Sequence, residues 1–64
     1  MYKLMNFYLA GNRRMMDDKA YYVVNLTYTS GTTKNEKLIQ EREFDKLDEA
    51  IEYLKEKVDE GRIE

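Results

Sequence analysis

The sequence predicts an α+β fold in which a three-stranded antiparallel β-meander is packed on one face by a C-terminal α-helix (βββα). Three observations carry this. Residues 19–29 read KAYYVVNLTYT, a run of Tyr, Val and Thr that suits a pleated, half-buried surface. Residues 45–60 repeat apolar side chains at the spacing of a helix that buries one face. Proline is absent and glycine occurs only at positions 11, 31 and 61, so these three breaks divide the chain into four elements.

The 64 residues make a single small domain, 1–64. A chain of that length buries only about 60% of the surface it exposes when unfolded. With no cysteine and no histidine it has neither disulfides nor the usual zinc ligands to add to its core, which leaves hydrophobic packing and association with another chain. The missing cysteines fit a reducing compartment. No basic segment leads into an apolar run of signal-peptide length, and no stretch approaches the roughly 20 apolar residues of a membrane span. A cytoplasmic protein without a membrane partner, a cofactor or a leader ahead of Met1 is expected.

The first strand is expected over residues 2–10, where Tyr2, Leu4, Met5, Phe7, Tyr8 and Leu9 crowd together without a clean helical stripe. Gly11 and Asn12 tolerate positive φ, so residues 11–18 read as a connection, long for a hairpin. In the second strand, 19–29, Tyr22, Val24, Leu26 and Tyr28 share the face expected to be buried, and Tyr21, Val23, Asn25 and Thr27 share the other. Ser30 to Asn35 supply turn chemistry before a third strand at 36–44. There Leu38, Arg42 and Phe44 point one way and Ile39 the other, as in an edge strand whose charges discourage further pairing.

The helix is expected over 46–60, with Asp45 as N-cap, Asp48 at N3 in place of a capping-box Glu, and Gly61 as the closing glycine. Leu47, Ala50, Ile51, Leu54 and Val58 fall within an arc of about 100°, the width of a core-facing stripe. Opposite lies an arc of about 120° that holds Asp48, Glu49, Glu52, Glu56, Asp59 and Glu60, with Lys55 and Lys57 at its margins.

Function is to be sought on surfaces, because nothing in the chain resembles a catalytic motif. There is no histidine for acid–base work at neutral pH and no cysteine nucleophile, and GxSxG and P-loop patterns are absent, so a non-enzymatic protein is expected. Adjacent Asp17 and Asp18 fall short of a calcium loop. Charge is segregated: residues 1–44 hold seven Lys/Arg against five Asp/Glu, and residues 45–64 hold four against eight.

Asp48, Glu52, Glu56 and Glu60 stand at successive i,i+4 steps, where like charges each cost a few tenths of a kcal/mol. A purely solvating face explains them simply. The functional alternative is an acidic ridge that docks on a basic, nucleic-acid-binding surface of a partner protein, as a phage or mobile-element inhibitor of a nucleic-acid enzyme would. Arg13, Arg14, Met15 and Met16 in the connection, with Tyr21 on the sheet, form a second candidate contact, since the flexible thioether adapts to varied surfaces. Six tyrosines raise two further options: a single-stranded nucleic-acid platform on the open sheet face, or a homodimer with sheet faces or edges apposed. Arg13, Arg14, Lys3, Lys19 and Lys34 are the cations available for the first. They are scattered and the net charge is −2, so nucleic acid ranks below protein.

Overall fold

The computed structural model describes residues 1–30 and 36–63. The elements run β1 (Tyr2–Arg13), β2 (Ala20–Ser30), β3 (Lys37–Phe44), α1 (Leu47–Glu60) and β4 (Arg62–Ile63). They form an α+β fold, an antiparallel sheet of order β3-β2-β1-β4 with one C-terminal helix. The turn assigned to 31–35, with Gly31 and Lys34, lies outside the described residues.

Tyr22 pairs with Gly11 and Phe44, Val24 with Leu9 and Arg42, Leu26 with Phe7 and Gln40, and Tyr28 with Leu4 and Leu38. These rows form the face under α1. Val24, Leu26 and Tyr28 are fully buried there against Ala50, so the face expected from the alternation of β2 is the core face. Asn25, Thr27, Tyr8 and Ile39 are on the opposite face, with Tyr8 and Ile39 exposed.

Four expectations are corrected. First, the chain does not leave the sheet at Gly11. Strand β1 continues to Arg13, and the ring of Tyr22 lies 3.6 Å from where a Cβ on Gly11 would stand. The connection is therefore a tight hairpin turn: Arg14 N–H donates to Lys19 O, Asp18 N–H to Arg14 O, and Lys19 N–H to Asp17 Oδ1. Asp18 takes φ 54°, a conformation that Asp tolerates better than most residues.

Second, the sheet has a fourth strand. Gly61 closes α1 in the left-handed conformation, its N–H bonded to Lys57 O, and the chain turns so that Gly61 O accepts from Leu4 N–H and β4 pairs with Tyr2 and Lys3. Two residues are too few for a periodic signal. Third, Asp45 is not the N-cap. Lys46 holds that position without a side-chain bond, Asp48 Oδ1 accepts from Glu49 N–H, and Asp45 lies 3.9 Å from Arg14.

Fourth, the helix is rolled away from its expected stripe. Ala50 is buried and Tyr53, Leu54 and Lys57 are partly buried, while Leu47, Ile51 and Val58 are exposed. The cause is aromatic. Tyr53 packs on Phe44 with ring centroids 5.2 Å apart, and the Arg42 guanidinium covers both rings at 5.0 and 5.1 Å, an arrangement that adds cation–π attraction to the burial. Lys57 completes the cluster, its Nζ 5.6 Å from the Tyr53 centroid.

Candidate functional site: the outward face of the helix

The roll turns the apolar stripe half out of the core, so that Ile51 and Val58 are 37% and 38% exposed. By helical periodicity Leu47, Ile51 and Val58 form one row. At the C-terminal half of α1 this row meets β1 in an open hollow of about 320 Å³ lined by Phe7, Leu54, Lys55, Val58 and Asp59. Phe7 is itself 46% exposed. The hollow is mainly apolar with one charge of each sign at its rim.

Beside this row stand Asp48, Glu49, Glu52, Glu56, Asp59 and Glu60, all exposed. Among the described residues, the ion pair these carboxylates make is Lys57–Glu60, at 3.5 Å. Glu52, Glu56 and Asp59 therefore form a row without an ion pair among the described residues, with Lys55 at its margin. Lys57 responds to its surroundings: burial pushes its pKa down, but Glu60, with Tyr53 and Tyr28, outweighs this and the net shift is upward from 10.5. Burial of Tyr28 raises its pKa above 10.0, partly opposed by Lys57.

The second candidate group sits at the far end of the molecule. Met15 and Met16 are fully exposed at the hairpin turn and touch no core. Arg13 is held by Asp18, through its backbone O at 3.1 Å and its carboxylate at 3.6 Å. Arg14 lies over the Tyr21 ring at 5.1 Å. The structure thus gathers Arg13, Arg14, Met15, Met16 and Tyr21 at one tip, which adjoins the start of the helix through Arg14 and Asp45, 3.9 Å apart. On the open sheet face, Glu41 follows Tyr8 and Asn25 in one row and Glu43 follows Ala10 and Val23 in the next, which places negative charge beside the aromatics.

Among the described residues no group of three or more His, Cys, Asp or Glu side chains is arranged to hold a metal ion, and no helix is long and apolar enough to cross a membrane. Searches of protein-family models, of curated proteins and of solved structures return no match to this chain. Sequence reasoning placed the carboxylates but missed Phe7 and the outward turn of Leu47, Ile51 and Val58. That rotation accompanies the packing of Tyr53 on Phe44 and Arg42, a tertiary contact with no local sequence signal.

Proposed function

We propose that this protein is a small non-enzymatic binding module whose helix docks on a basic surface of a partner protein, of the kind that otherwise holds nucleic acid, and that it acts there as an inhibitor. One observation carries this: the row of Glu52, Glu56 and Asp59 runs beside exposed Leu47, Ile51 and Val58. A face that served only solubility would need no apolar row next to it. An interface needs both, apolar contacts for affinity and charge for steering and selectivity. Stacking of single-stranded nucleic acid on the open sheet is supported less well, because Glu41 and Glu43 would face the phosphates.

The test is capture from a cell extract with the wild-type chain and with the double variant Glu52→Lys, Glu56→Lys, read by mass spectrometry. Proteins that bind nucleic acid are expected on the wild type, to be released by salt, and to be missing from the variant. Retention of the same proteins by the variant at the same salt would refute the acidic docking mode.

A further inference from the structure

The two edges of the sheet are built differently. Strand β3, one edge, carries Lys37, Glu41, Arg42 and Glu43, the charges with which natural sheets discourage further pairing. Strand β1 forms most of the other, since among the described residues β4 pairs with Tyr2 and Lys3 and Gly61 O takes the Leu4 N–H. From Leu4 to Asn12 it has no charged residue. Among the described residues, the stretch Met5–Arg13 is thus a strand edge without a pairing strand, alongside the hollow of Phe7, Leu54 and Val58.

Hydrogen bonding fixes which β1 groups look outward. The Phe7 N–H is bonded at 2.9 Å by the neighbouring Asn6 carboxamide, whereas Arg14 N–H crosses the hairpin to Lys19 O. Alternation along the strand then aims the N–H and C=O of Phe7, Leu9, Gly11 and Arg13 away from β2. Leu9 is the midpoint of Met5–Arg13. An antiparallel second copy centred there sets Leu9 opposite Leu9 and Phe7 opposite Gly11, with the outward N–H groups of Leu9 and Gly11 and the outward C=O groups of both strands in register, while the Phe7 N–H keeps its bond to Asn6 Oδ1.

From this we infer that the protein forms a two-fold homodimer by antiparallel pairing of β1 edges about Leu9, joining two four-stranded sheets into one of eight. The missing side chain of Gly11 leaves room for Phe7 of the second copy, which meets the Tyr22 ring already lying over Gly11. Charge is complementary as well. Arg13, whose exposed pairing with Asp18 leaves the rest of its guanidinium open, shares the helix-side face with Phe7 and falls opposite Met5 of the other copy, at the end of the sheet where that copy's α1 terminates with Asp59 and Glu60. The negative end of the helix dipole adds to this attraction. The mode is self-complementary, as a two-fold interface must be, and it covers apolar surface that a 64-residue chain can ill leave bare. It leaves Glu52, Glu56, Leu47 and Ile51 outward for a partner on α1, and shares with that face only Asp59 and the hollow of Phe7 and Val58.

Analytical ultracentrifugation over micromolar to millimolar chain concentration, with amide hydrogen exchange, tests it on the purified protein alone. A dimer is expected, with protection of the Leu9 and Gly11 amides that rises with concentration. Phe7→Lys, which installs an edge charge at an exposed position, is expected to give a folded monomer by circular dichroism, while Ile39→Lys on the open face leaves the dimer intact. A wild-type monomer across the whole range would overturn the inference. So would a dimer lost in Ile39→Lys, or one in which Leu9 and Gly11 exchange as freely as in the monomer, whatever Phe7→Lys does to the fold.

Discussion

The middle of the β1–β2 ladder and its hairpin end are made by the same two strands, yet they differ in what lies on them. Under α1, Val24, Leu26 and Tyr28 are fully buried, and β3 extends the ladder on the outer side of β2. Beyond the Tyr22–Phe44 pair, β3 has ended, and Asn12–Arg13 and Ala20–Tyr21 continue as a two-stranded ribbon to the exposed methionines. A two-stranded ribbon alone is at best marginally stable in water. Pairing of β1 with β2 is continuous across both regions, so their difference shows what β3 and α1 together add. Stability is concentrated where the helix lies, and the ribbon is held by its connection to that core.

The strongest way to break this contrast is to open the core. Leu26→Ala removes a fully buried side chain of β2 beneath α1, and such truncations cost about 2–5 kcal/mol. Total stability for a domain of this size is on the order of 3–10 kcal/mol. Urea denaturation is expected to show a variant near the unfolding threshold. A loss below about 1 kcal/mol would mean that the helix-covered face is no more cohesive than an exposed one.

How far the sequence foretold these regions depends on whether a local pattern or a tertiary contact decides. The face of β2 was readable because its two-residue period runs unbroken from Tyr22 to Tyr28. That of β1 was not, because a bulge at Met5 shifts the phase, putting Tyr2 and Leu4 and then Phe7 and Leu9 on the core side. Gly61 was readable because a left-handed helix end calls for glycine locally. The helix rotation was not, since Tyr53 must first find Phe44 and Arg42. For the candidate site, helical period alone placed the acidic row, while the apolar row beside it and the free edge of β1 depend on topology.

Alkaline pH gives a milder probe confined to the covered region. Burial raises the Tyr28 pKa above 10.0, so the fold favours the neutral phenol. The net rise for Lys57 means that the fold also favours its ammonium form, against the burial that opposes it. Each group therefore holds its proton more tightly folded than unfolded, and its contribution is complete below the unfolded pKa and lost as pH climbs through the folded one. Melting temperature is expected to fall once pH passes about 10, where the unfolded chain begins to release these protons first. Tyr28→Phe is expected to reduce that slope. A variant whose melting temperature falls as steeply as the wild type's would place the alkaline sensitivity elsewhere.

The smallest effect is expected at the hairpin turn. Met15→Ser with Met16→Ser replaces two apolar side chains, as drastic in chemical type as the core truncation. Both are fully exposed, and exposed substitutions change stability by within about 0.5 kcal/mol. The turn bonds of Arg14, Asp18 and Lys19 involve backbone groups and the Asp17 carboxylate, so none depends on either sulfur. Thermal melts of the double variant and the wild type should superimpose at low chain concentration. A drop of several degrees there would show that the methionines pack within one chain, and the ribbon would have to be counted with the core. A difference that emerges only as concentration rises would place the methionines in a contact between chains, with their cost borne by assembly while the fold of each chain is unaffected.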